Sequence, residues 1–86
     1  MKLLYCKECG DIFNLKFETV HCSCGKCYGN YEPDGVTAFI SEDAVPLGFD
    51  NFEFAHAVKL RPDSGDGKRF NAFVIPIECK TVIVED

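Results

Sequence analysis

From Phe13 the chain alternates, with Phe13, Leu15 and Phe17 set against Asn14, Lys16 and Glu18. A period of two puts each set on one face, so the pattern predicts a half-buried strand. A turn must follow, because Cys22 and Cys24 have to come back toward Cys6 and Cys9. Val36-Thr37-Ala38-Phe39-Ile40 predicts a short strand, preceded by turn signals at Gly29-Asn30 and Pro33-Asp34-Gly35. Val45-Pro46-Leu47-Gly48-Phe49 is apolar but broken by proline and glycine, which suits an edge strand or a packed loop.

Residues 50–61 carry two competing patterns. Phe52, Phe54, Val58 and Leu60 alternate with Glu53, Ala55, Lys59 and Arg61, as in a strand interrupted at His56. Asp50 followed by Glu53 forms a capping box, however, and Phe49 with Phe54 occupies the hydrophobic-staple positions. Phe54, Ala57 and Val58 then share a helical face and Pro62 ends it, so a short helix is favoured. After a flexible loop at Asp63-Ser64-Gly65-Asp66-Gly67, strand character returns from Phe70 to Glu85, with a break at Pro76. Val82-Ile83-Val84 has no polar face. It is either a central strand covered on both sides or a sheet edge that meets another chain.

At 86 residues the chain has room for one domain. A domain of this size buries only about 60–65% of its unfolded surface, so a cross-link strengthens it appreciably. With 47% hydrophobic residues, among them eight Phe and three Tyr, a packed core is expected. The apolar run before Cys6 is too short for a secretion signal, and no stretch approaches the roughly 20 apolar residues of a membrane span. A reducing cytoplasm, where thiols persist, is the expected setting.

The six cysteines give the most specific signal. Cys6-Lys7-Glu8-Cys9-Gly10 and Cys22-Ser23-Cys24-Gly25 flank a hairpin-length gap of 12 residues. Two such pairs can place four thiolates around one tetrahedral ion and leave it no open position. The glycine after each pair is expected to let a backbone N–H approach a ligand sulfur. Zn2+ in a structural role fits best by ligand softness and geometry. Cys24-Gly25-Lys26-Cys27 is itself a two-spaced pair, so the choice between Cys22 and Cys27 stays open. His21 reads as a surface imidazole beside Cys22, and Cys79 as a buried thiol in an apolar strand.

Residues 6–25 resemble the zinc ribbon, in which two cysteine knuckles grip one ion at the end of a short sheet. Gly29-Asn30-Tyr31, Ala44-Val45-Pro46-Leu47-Gly48-Phe49-Asp50-Asn51 and Ala72-Phe73-Val74-Ile75-Pro76, with Cys79, are similar to a group of short uncharacterised bacterial and phage proteins. That resemblance implies Cys6, Cys9, Cys22 and Cys24 as the ligand set and brings no activity with it. Cys27 departs from its pattern.

The net charge is −5, and four thiolates with one divalent ion would take it to about −7. Such a surface repels phosphate backbones and anionic lipid and favours basic partners. Lys68-Arg69 beside Phe70 is the one adjacent basic pair next to an aromatic, and Asp63 and Asp66 flank it. A catalytic zinc needs an open position and a nearby base, whereas four cysteines close the shell and His56 stands apart. A thioredoxin-like reading of Cys6 and Cys9 would want a helix where Asp11 onward reads as strand.

The expectation is therefore an α+β single domain, 1–86. An N-terminal four-cysteine zinc ribbon (1–31) continues into a small antiparallel β-sheet with one short helix (32–86). The expected role is non-enzymatic: binding another macromolecule, protein above all, with self-association an option and no membrane. A nucleic-acid-binding zinc ribbon is the alternative.

Overall fold

The computed structural model describes residues 2–85. They form two four-stranded sheets and one helix, an α+β arrangement. The strands are β1 (Lys2–Cys6), β2 (Ile12–Asn14), β3 (Val20–His21), β4 (Tyr28–Tyr31), β5 (Ala38–Ile40), β6 (Ala44–Phe49), β7 (Ala72–Val74) and β8 (Val82–Val84), with helix α1 (Asn51–Lys59) between β6 and β7. The first sheet runs β2-β1-β6-β7 and the second β3-β4-β5-β8. Pairing is antiparallel except between β5 and β8, so the expected single antiparallel sheet is two sheets with one parallel edge. Each sheet takes two strands from residues 2–31 and two from residues 38–84.

The alternating segment from Phe13 stops being a strand at Asn14, because its partner runs out: Leu3 pairs with Asn14 near the start of β1. The chain then crosses between sheets. Leu15 N–H reaches the Lys2 carbonyl at 3.5 Å, and the Lys16 carbonyl accepts from Tyr31 N–H at 2.7 Å. Leu15 is buried, and Phe17 stays exposed against Tyr31, with ring centroids 6.1 Å apart.

Residues 44–49 are an interior strand between β1 and β7 rather than an edge or a loop. Proline is tolerated there because of where its backbone points. The Pro46 carbonyl accepts from Ile75 N–H at 3.0 Å, so its missing donor faces the frayed end of β7 and removes no bond to β1. Gly48 pairs with Phe73, whose ring lies over the space a side chain would fill; an added Cβ would sit 2.6 Å from it.

Helix α1 forms where its capping signals predict, with one half of the capping box made and the Asp50 N–H given instead to the Asn71 carbonyl at 3.0 Å. The Asp50 carboxylate accepts from Glu53 N–H at 3.0 Å, while the Glu53 carboxylate accepts from the Asn71 side-chain amide at 2.8 Å. Phe49 and Phe54 form the staple at 5.4 Å, and Phe70 completes a mutual triad at 5.1 and 5.0 Å. The turn at 33–35 is held by Asp34, which accepts from Val36 N–H, Thr37 N–H and the Thr37 hydroxyl. The hydroxyl bond is foremost in keeping that carboxyl below its ordinary range.

The core is small and lies between the sheets. Leu4, Leu15, Ala38, Ile40, Ile75 and Val82 pack with Cys6, Cys22 and Cys27. Gly29 allows the approach: a Cβ there would sit 2.8 Å from the Phe39 carbonyl oxygen and 2.9 Å from a Leu4 methyl. Ser41, the buried polar residue, is satisfied by a reciprocal pair with Tyr28, through N–H donation at 2.9 Å and hydroxyl acceptance at 3.0 Å.

Val82-Ile83-Val84 is a sheet edge. Val82 is buried, while Ile83 and Val84 are 47% and 41% exposed, so the doubly covered alternative is ruled out.

Candidate metal centre

The first knuckle joins β1 to β2 and the second joins β3 to β4. In each, the pair's first cysteine faces inward and the second outward: Cys6 and Cys22 are buried, Cys9 and Cys24 exposed. The four sulfurs all lie within 4.8 Å of one another. Cys6 and Cys24 are 3.7 Å apart, Cys22 and Cys24 3.4 Å. A tetrahedron of thiolates about 2.3 Å from a central zinc has edges of about 3.8 Å, so the cluster fits such an ion.

Backbone geometry explains the glycines. Gly10 and Gly25 have φ of +76° and +81°, and their N–H groups bond the Cys6 and Cys22 carbonyls at 2.8 and 3.0 Å. An added Cβ at either would meet nothing within 4 Å. Backbone N–H groups do reach the sulfurs, as expected, but the glycines' own N–H groups go to carbonyls. Each glycine serves to turn the chain through the left-handed region that residues with a Cβ avoid. The sulfurs take their donors elsewhere: Cys22 Sγ accepts from Cys27 N–H at 3.3 Å.

The sulfurs polarise one another. The Cys9 N–H, foremost, holds the Cys6 thiol below its ordinary value against the effect of burial. Burial alone would raise Cys22, but the N–H groups of Cys27 and Cys24 and the neighbouring thiols together bring it down to about 6. At Cys24 the Lys26 N–H favours a thiolate, yet Cys22 and burial outweigh it and push the thiol up to about 12. Four adjacent thiolates repel one another, and a cation at their centre relieves that repulsion.

Cys27 is not one of the four. It is 1% exposed, packed in the core, and burial followed by the neighbouring Cys6 raises its thiol to about 12. It contributes through its backbone, with N–H to Cys22 Sγ and a carbonyl that accepts from Cys22 N–H at 2.9 Å, and through its thiol, whose hydrogen bond helps the Cys9 N–H to lower Cys6. His21 is exposed and its ring meets Tyr28 at 5.5 Å. Cys79 is half-buried, with its sulfur 3.4 Å from the Thr81 hydroxyl, which chiefly lowers its thiol. His56, Lys68 and Arg69 are exposed, while the Phe70 ring belongs to the aromatic triad.

Two residues that the sequence reading passed over tie the knuckles together. Asp11, which follows Gly10, accepts from both Ser23 N–H at 2.9 Å and the Ser23 hydroxyl at 3.0 Å, and Ser23 stands between Cys22 and Cys24. The available signal was a carboxylate next to one knuckle and a hydroxyl within the other. Lys26 and Glu8 add an exposed ion pair at 4.0 Å, worth little by itself.

Comparison of this chain with protein-family models, with curated proteins and with solved structures returns no match. The site stands on its own geometry. Four clustered cysteines, suited to a metal ion and consistent with a zinc-ribbon-like centre, close the knuckle end of both sheets. Among the described residues no helix is long and apolar enough to cross a membrane.

Proposed function

We propose that this chain is a non-catalytic protein-interaction module, stapled by one structural Zn2+ held by Cys6, Cys9, Cys22 and Cys24, and working in a reducing compartment such as the cytoplasm. The support is the cluster of four sulfurs: if all four ligate one ion, no position is left for substrate, which is the pattern of structural sites. The observation that carries the interaction reading is apolar surface left open along both sheet edges. Val74 and Ile77 are 65% and 97% exposed, and Ile83 and Val84 are also exposed. Apolar residues gathered along unpaired strand edges mark surfaces that meet a partner.

Nucleic-acid binding is the weaker reading. The net charge is −5, and Phe70, the aromatic beside Lys68-Arg69, is engaged by Phe49 and Phe54 rather than free to stack on a base. The test is cross-linking of the tagged, zinc-loaded chain in its native cell, with and without nuclease, beside gel shifts on single- and double-stranded probes. A nuclease-resistant protein adduct, with no gel shift at about 150 mM salt, is the expected result. A shift that persists at that salt, or turnover requiring the metal, overturns the proposal.

A further inference from the structure

One groove of about 560 Å³ lies where the two sheets leave edges open. Ile40 of β5 and Ala44 and Pro46 of β6 line it, together with Val74 and Ile77 on the β7 side and Val82 and Val84 on the β8 side. Its size falls within the roughly 300–1,000 Å³ of ligand clefts. Glu42 is its one charged lining residue, and Glu42 also lines a smaller hollow of about 260 Å³ with Asp43 and Glu85. The cation in that hollow, Lys26, is shared with Glu8. An apolar trough thus runs into a negatively charged end.

The trough also has a short open backbone edge at Val84, the outward N–H of Val82 being taken by the Cys79 carbonyl at 3.2 Å. The Thr81 carbonyl accepts from Ala38 N–H at 2.8 Å and Glu85 N–H donates to the Ile40 carbonyl at 2.8 Å, so the odd-numbered residues of β8 bond to β5. Val84 therefore turns its peptide groups away from β5, while its side chain faces the groove. This is the geometry that accepts an added strand.

Resting on the protein-interaction reading above, we propose that the groove receives an extended segment of a partner protein. The segment lies along β8, places alternate apolar side chains in the trough and brings a Lys or Arg to Glu42, Asp43 and Glu85. Charge selects this occupant. A second copy would set −5 against −5, with Lys80, just before its own β8, the cation that an antiparallel pairing could bring to the acidic end.

The probe is a random library of eight-residue peptides displayed on phage and selected against the zinc-loaded full chain. The expected winners alternate apolar residues and carry Lys or Arg at one end. A synthetic winner should bind at roughly micromolar Kd and slow amide exchange at Val84. Ile77→Asp and Glu42→Lys both alter exposed residues, so fold and zinc content stay intact, and each should weaken the peptide at least about tenfold. Glu42→Lys should also shift selection toward acidic ends. Winners indifferent to both substitutions would overturn the groove assignment and leave the interaction reading standing. A concentration-dependent dimer that excludes peptide would overturn it in favour of a second copy. No winners, with no protein adduct in the cell, would remove both.

Discussion

At the cysteine knuckles, backbone donors find acceptors within the chain, whereas the groove between β7 and β8 leaves apolar side chains exposed along two outer strands. Gly10, Gly25 and Cys27 N–H groups all have acceptors, and Asp11 fastens one knuckle to the other through Ser23. Around the groove, Val74, Ile77 and Val84 face solvent beside open backbone. A region that satisfies itself holds shape, and a region that does not is where binding can add free energy. The two are mechanically joined. Cys6 pairs with Ala44, which lines the groove, and the turn closed by Cys22 N–H on the Cys27 carbonyl leads straight into β4 and its partner β5.

That contrast can be broken most severely at the metal. Chelating the proposed zinc, or Cys22→Ser, should remove stabilisation on the order of 10 kcal/mol, enough to unfold both sheets, as followed by circular dichroism with metal content. Acid should do the same by proton competition. At neutral pH, ion binding must expel the proton that Cys24 keeps with its thiol near 12, so affinity should rise with pH. The stabilisation tied to the depressed Cys22 thiol is full only above its ordinary value of 9.0 and is lost as pH falls through about 6, where its thiolate protonates too and the dependence of affinity should steepen. A chromophoric chelator titrated from about pH 5 to 8 reads the slope. A metal-free chain that stays fully folded would show the knuckles to be no staple.

The contact between the sheets comes next. Gly29→Ala forces a Cβ against the Phe39 carbonyl oxygen and should cost about 1–3 kcal/mol in denaturant unfolding, with metal stoichiometry unchanged. Asp11→Ala should weaken metal affinity about tenfold by freeing the second knuckle, read by competition with a chelator of known affinity. Cys27→Ala should cost about 1 kcal/mol as a small core cavity yet keep one ion per chain, which separates a packing thiol from a ligand. The smallest effect is expected at the groove. Val74→Thr should alter stability by no more than about 0.5 kcal/mol, because the side chain is 65% exposed. A large loss there would mean the groove supports the fold instead of awaiting a partner.

Signals confined to neighbouring residues were legible in the chain. Asp50, Glu53 and the Phe49–Phe54 staple mark helix α1, because a cap is made within one turn of backbone. Cysteine spacing marks the two knuckles for the same reason. The strand expected through Phe17 ended early, and residues 44–49 proved interior, because both outcomes depend on which distant segment supplies the partner. Nothing near Pro46 in sequence tells that its missing donor falls beyond the last bond to β7.

By itself, then, the sequence determined the cysteine knuckles, the helix and the turns, all properties of short stretches whose residues are held close by the chain. The tertiary structure decided which of the sulfurs Cys22, Cys24 and Cys27 join Cys6 and Cys9, how eight strands divide between two sheets, and that β7 and β8 end as open edges over an acidic-ended groove. Those choices are set by pairing register and burial between residues far apart in the chain, where spacing carries no information and only the fold brings the groups together.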